Sequence, residues 1–318
     1  MHCRISVWQA ALVALLVFVG MNFSERKSPG EDKTQCEDKT QCEERDEPAP
    51  MKAAANILGL PAGAISRGGT LVVCGGGELP EEVYDEFVRL AGGPKSRLVL
   101  IPSAHPFENL EEVADRFNGW LDYPTESFHF LHAASREEAQ SAAFAKPLED
   151  ATGVWITGGA QGRLADLYKG TRVETLLLKV LERGGVIGGT SAGAAIMSQT
   201  MIRQGTSRQA ELDAGFSLLT SAVVDQHFTE RARHTRLLGA LRENPAKIGL
   251  GVDEQTAVII RANTVRVMGQ NRATLIVPTP NRSMSLHLLD SGEEAELVRH
   301  DDAADSPLQL LLSNLVKK

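Results

Sequence analysis

Six short apolar runs in this chain each end abruptly in a cluster of glycine and polar residues. Thr70–Cys74 runs into Gly75-Gly76-Gly77-Glu78, Arg97–Ile101 into Pro102-Ser103-Ala104, and Gly153–Ile156 into Thr157-Gly158-Gly159-Ala160-Gln161. Gly185–Gly188 runs into Gly189-Thr190-Ser191-Ala192-Gly193, Ala222–Val224 into Asp225-Gln226-His227-Phe228, and Ile248–Val252 into Asp253-Glu254-Gln255. Short continuous apolar runs of this kind read as strands buried on both faces. Between the early ones the spacing is helical: Val83, Phe87 and Leu90 share a face of Pro80–Leu90, and further helices are predicted around Leu110–Leu121, Arg136–Phe144 and Leu164–Arg183. Strands alternating with helices predict an α/β fold, a mostly parallel sheet with helices on both faces. Ligands of such sheets bind beyond the carboxyl ends of the strands, so the polar clusters tend to converge on one edge.

The last third changes character. Glu230–Glu243 is predicted as a helix, but after Thr256 the runs AVIIRA, VRVMG and ATLIVP follow one another without helices. They read as antiparallel edge strands, and Leu308–Leu315 as a last short helix. Aromatics make up only 5 % of the chain while glycines number 29, a balance suited to many tight strand-to-helix turns. The net charge of −8 excludes a generally basic nucleic-acid binder.

Three regions follow from composition. Residues 1–24 carry Arg4 and then the apolar run AALVALLVFVG (Ala10–Gly20), which fits a signal-peptide core better than a membrane span of about 20 residues. Export to the periplasm or the exterior is therefore expected, with membrane attachment only if this segment is retained, and a cytoplasmic enzyme only if the start is mis-assigned. Residues 25–66 contain EDKTQC twice in succession, at 31–36 and 37–42, with nine acids and five bases between 25 and 47. Such a segment has no apolar period and is expected to be a disordered linker. The α/β domain is expected over residues 67–318. Four cysteines (Cys3, Cys36, Cys42, Cys74) do not make a disulfide framework; Cys36 and Cys42 can pair or stay free, and Cys74 reads as a buried small hydrophobe. No His/Cys/Asp/Glu cluster has metal-ligand spacing, so neither metal nor cofactor is expected.

Gly189-Thr190-Ser191-Ala192-Gly193 is the sharpest motif. A G-x-S-x-G directly between a buried strand and a small-residue helix is the context of a nucleophile elbow, where the Ala192 N–H stands ready for an oxyanion. Thr157–Gln161 is well placed to add a second such N–H and a side-chain amide. Among the eight histidines, His227 is the best base because it ends a strand inside a polar cluster; His105 also follows a strand end. His129, His132 and His287 read as surface or packed residues, and His234 as a solvated helix residue. The orienting acceptor is Asp253 or Glu254, only one of which can face the site from an extended segment, or else Asp225. The histidine precedes the acid at 253–254, the reverse of the α/β-hydrolase esterases, which argues against that second serine-hydrolase reading.

TGGAQGRL, GGTSAGAAIMS, DQHFTERARHTRL and GVDEQTA, in this order, resemble the cyanophycinase branch of the peptidase E family of serine exopeptidases. The resemblance runs from about Arg67 to Gly269 and implies a flavodoxin-like or class I glutamine amidotransferase-like fold. It implies Ser191 as nucleophile, His227 as base and Glu254, rather than Asp253, as the orienting acid. It further implies Gly159 and Ala192 as the oxyanion hole, with Gln161, Asp225, Gln226, Arg231, Arg233 and Arg236 as substrate contacts. The implied substrate is cyanophycin, a poly-aspartate bearing arginine on its side-chain carboxyls, or a related β-aspartyl peptide; a homodimer is compatible with this reading. Guanidinium forks suit carboxylates, whereas the plainer reading of the three arginines is a solvated helix face. For all three to reach one substrate, the segment after His227 must be non-helical. The competing expectations are a peptidase E-type dipeptidase on small aspartyl peptides and a secreted, non-catalytic binding homologue.

Overall fold

The computed structural model describes residues 69–279, 283–299 and 308–311. The readings made for residues 1–66, including the signal segment, the repeat, Cys3, Cys36 and Cys42, lie outside them. The described chain opens with β1 (Thr70–Cys74), α1 (Glu81–Leu90), β2 (Arg97–Ile101), α2 (Leu110–Arg116), β3 (Ser127–Phe130), α3 (Arg136–Gln140) and α4 (Ala142–Ala145). It continues with β4 (Gly153–Ile156), α5 (Gln161–Tyr168), α6 (Arg172–Glu182), β5 (Val186–Thr190) and the one-turn α7 (Ala192–Ala195). A hairpin of β6 (Thr200–Gly205) and β7 (Ala210–Ala214) precedes β8 (Ala222–Gln226), α8 (His234–Glu243) and β9 (Ile248–Val252). Among the described residues strands alone follow: β10 (Thr256–Arg261), β11 (Thr264–Gly269), β12 (Arg272–Pro278), β13 (Met284–Asp290), β14 (Glu294–Arg299) and β15 (Leu308–Leu311).

Among the described residues the main sheet has nine strands in the order β15-β14-β11-β10-β1-β5-β4-β2-β3. Its half from β1 to β3 is parallel, and β10, β11, β14 and β15 continue it antiparallel. The pleat sends alternate residues to opposite faces. Leu71, Val73, Val99, Ile101, Val154 and Ile156 pack with Leu177, Val180 and Leu181 of α6 and with the alanines of α7. Val72, Cys74, Leu98, Leu100 and Trp155 pack on the other face with Val83 and Phe87 of α1 and with Trp120. The Phe87 and Trp155 rings meet edge to face at 5.0 Å. Both faces are covered, as the unbroken apolar strands require, and Cys74 is fully buried among them.

A second sheet, β13-β12-β9-β8, carries β8 and β9 as a parallel pair beside two antiparallel strands. Several sequence expectations change here. Strands β8 and β9 do not extend the parallel sheet, and β10 and β11 are interior rather than edge strands, paired on both sides. Leu164–Arg183 is two helices, parted at Gly170, whose φ of +70° ends the first. Leu308–Leu311 is a strand on β14, not a helix; an apolar run of this length fits either. The helix predicted from Glu230 begins only at His234, because Ala232 takes a φ of +50° that no helix admits.

Candidate active site

Ser191 stands where β5 turns into α7, at φ +52° and ψ −109°, a conformation that a non-glycine residue keeps only under constraint. Its N–H donates to Cys74 O at 3.0 Å, tying the turn to β1. The neighbouring glycines allow the approach: a Cβ on Gly193 would lie 2.1 Å from Ile156 O, and one on Gly189 2.5 Å from Gly193 O. Gly158 packs against the Ser191 side chain, so the Thr157–Gln161 turn flanks the serine. Gly159, at φ +139°, and Ala192 each have an N–H that donates to no group among the described residues.

His227 and Glu254 come from the second sheet, one residue past β8 and two past β9. Ser191 Oγ lies 2.8 Å from His227 Nε2, and His227 Nδ1 lies 2.5 Å from Glu254 Oε1. A carboxylate only accepts, so Nδ1 carries the proton and Nε2 is left to accept from the serine hydroxyl. Burial pulls the imidazole below its ordinary value of about 6.5, against the bond to Glu254, which raises it; Arg231 and Arg233 add to the lowering. Burial thus favours the neutral ring, the state a proton acceptor needs. Asp253 turns the other way: it is buried, and its Oδ1 accepts from the Thr229 N–H at 3.0 Å.

Residues 227–233 form a non-helical loop, the condition set above for the arginines. Arg231 is exposed on it. Arg233 donates to Gln226 O at 2.6 Å and Gln226 Oε1 at 2.9 Å. Burial and the adjacent Arg236 charge bring Arg233 down to about 10, which leaves it cationic. Arg236 and Asp225 are both buried and form a two-pronged ion pair, with Arg236 Nε 2.7 Å from Asp225 Oδ2 and Nη2 on Oδ1. Their polar atoms meet each other beneath the loop. Gln161 opens α5 and donates through Nε2 to Ile202 O at 3.0 Å, which leaves its Oε1 to accept. His105 is exposed and His132 is bound to Ser103 Oγ and Phe107 O, so neither joins Ser191.

The glycine triplet after β1 does more than end a strand. A Cβ on Gly76 would fall 2.3 Å from His227 Cε1, and one on Gly77 3.0 Å from Glu254 Cβ. Gly75 O accepts the His227 N–H and Gly76 O the Gln255 N–H, each at 2.8 Å. Three successive glycines at a strand end are the signal for such close backbone approach. The β6–β7 hairpin that holds Gln161 is missed by sequence reasoning, because its polar strands carry little apolar pattern.

Comparison with known proteins identifies the family. The family model described as peptidase family S51 matches residues 71–268. The cyanophycinase of Trichormus variabilis is 33 % identical over 208 residues, covering 62 % of this chain and 69 % of that protein. The cyanophycinase of Synechococcus elongatus is 32 % identical over 223 residues (66 % and 68 %), and that of Geminocystis herdmanii 27 % over 263 residues (74 % and 96 %). In fold the chain is similar to the crystal structure of a peptidase from an acI-B1 actinobacterium, with a TM-score of 0.57 at 22 % identity, over 72 % of this chain and 96 % of that one. A family match over most of the α/β domain, with cyanophycinases as its relatives, places this chain in peptidase family S51, in the cyanophycinase branch of the peptidase E-type serine exopeptidases.

Proposed function

We propose that this peptidase hydrolyses cyanophycin, or a closely related β-aspartyl peptide, to β-aspartyl-arginine dipeptides with Ser191, His227 and Glu254 as its triad. The unbroken relay from Ser191 Oγ through the imidazole to the Glu254 carboxylate, at 2.8 and 2.5 Å, carries the reading. Ser191 Oγ attacks the scissile carbonyl while His227 Nε2 takes its proton and later returns it to the leaving amine. Glu254 holds the tautomer and stabilises the imidazolium. The Ala192 and Gly159 N–H groups receive the oxyanion, each donor worth roughly 3–4 kcal/mol in comparable sites.

The substrate side rests on the loop after His227 and on α5. Arg231 and Arg233 offer guanidinium groups to the aspartyl backbone carboxylate, and Gln161 offers an acceptor to a substrate N–H. Gln226 orients Arg233, and Asp225 with Arg236 supports the loop from beneath. Incubation of the purified chain with insoluble cyanophycin, followed by chromatography of the soluble products, tests the assignment: release of β-aspartyl-arginine is expected, together with fluorophosphonate labelling at Ser191. Labelling without release from the polymer, but with cleavage of short aspartyl peptides, would indicate a peptidase E-type dipeptidase. Neither signal would indicate a binding homologue.

A further inference from the structure

Side chains from elsewhere in the chain grip the peptide unit of Glu254 at both ends. Its N–H donates to Glu230 Oε1 at 3.1 Å, from the loop that also carries His227. Its carbonyl accepts from Asn271 Nδ2 at 2.9 Å and from the Thr256 hydroxyl at 3.1 Å. Asn271 closes the arrangement, because its own N–H donates to the same Thr256 oxygen at 3.0 Å. Beside it, the Gln270 N–H donates to Gln255 O at 2.9 Å, and Gln255 sits at φ +57°. A non-glycine residue in that region persists only where its surroundings over-determine it.

The Glu254 side chain is 34 % exposed, so its packing against Gly77 holds it on one side only and the position of its main chain counts. A carboxylate displaced by about 1 Å loses a large part of its catalytic value. Asn271 stands in the β11–β12 connection, beyond the residues 71–268 that the family model matches. It and Glu230 are both exposed and line one cleft of about 660 Å³. Truncating either side chain therefore removes a hydrogen bond without opening a core cavity.

We propose that Asn271, with Glu230 opposite it, is a positioning residue that holds the Glu254 main chain so that its carboxylate meets His227 Nδ1. The inference rests on the triad assignment above. A mere structural role would lower thermal stability and leave the kinetics of the folded enzyme unchanged. A positioning role lowers kcat with KM little altered.

Positioning also moves the acid limb of the kcat/KM profile. The charged groups facing His227 are Glu254, which raises its pKa, and Arg231 and Arg233, which lower it. Loosening Glu254 therefore carries the limb to lower pH.

The experiment measures steady-state kinetics and pH profiles on the full chain, with the melting temperature as a control for folding. Asn271→Ala is expected to lower kcat about five- to tenfold. Asn271→Asp, which sets an acceptor against the Glu254 carbonyl, is expected to lower it further. Glu230→Ala should lose as much as Asn271→Ala, and Glu230→Gln, which keeps an acceptor, should recover most of that loss. Combined with Glu254→Gln, Asn271→Ala should add nothing.

Wild-type kcat and an unmoved acid limb in folded Asn271→Ala and Glu230→Ala, with Glu254→Gln inactive, would overturn the positioning role and leave the triad standing. Full activity in Glu254→Gln would instead overturn the triad.

Discussion

At the scale of single residues, the site predicts a sharp division between neighbours. Ser191→Ala and His227→Ala should each lower kcat by roughly 10⁶, and the double mutant should be scarcely worse, since the groups act as a unit. Glu254→Gln should be nearly inactive while folded. Asp253→Asn should keep most activity, because an amide oxygen still accepts from the Thr229 N–H. Kinetics on these five variants checks this pattern, and the reverse order for the two acids would move the triad acid to Asp253. Gly76→Ala should abolish turnover, because its methyl would occupy the place of His227 Cε1 and its φ of +108° disfavours any side chain.

The lowered pKa of His227 carries two consequences with pH. The acid limb of kcat/KM should lie below about 6.5, since the neutral ring is the base. For stability the unfolded chain binds this proton first as pH falls from about 6.5, so the folded state loses stability until the pH has passed below the folded value. Denaturant unfolding of wild type and His227→Gln between pH 7 and 5 should show that part of the loss only in the wild type.

At the scale of elements, the loop between β8 and α8 stands on the Asp225–Arg236 pair. Removing Arg236 leaves the buried Asp225 carboxylate with only the longer contact to Arg233 at 3.5 Å, so Arg236→Ala should cost about 3 kcal/mol and lower the melting temperature by roughly 10 °C, as calorimetry would record. Arg236→Lys should not restore it, since a lysine cannot make the two-pronged contact. Sequence periodicity could not show this loop: the segment from Glu230 has helical apolar spacing, and only Ala232 at positive φ delays the helix to His234. The strands β1, β2, β4, β5, β8 and β9 were legible because each is a short apolar run ended by glycine or a polar cluster, and the elbow because Gly189 and Gly193 mark the close approach around Ser191. Which strands share a sheet was not legible, since β8 and β9 carry the same apolar signature as β1 and β5. Alternation in an extended segment allowed one of Asp253 and Glu254 to face the histidine without saying which; the Thr229 N–H that claims Asp253 is a long-range contact.

At the scale of the whole molecule, the proposed chemistry straddles two sheets. Ser191 ends a strand of the main sheet, whereas His227 and Glu254 follow strands of the second. Residues 25–66 are predicted to be dispensable on composition, so limited proteolysis should trim the chain to near Arg67 and leave turnover unchanged; loss of activity at that cut would refute the boundary. The strand after the acid, β10, returns to the main sheet and pairs with β1, the first strand of the described domain. That return has a consequence during biosynthesis. If the proposed triad holds, a chain still emerging from the ribosome with its elbow serine already made has no base until β8 is complete and no orienting acid until β9 is. It has no closed site until β10 threads in beside β1. On that proposal the nascent chain has no working site until nearly the whole domain has been delivered.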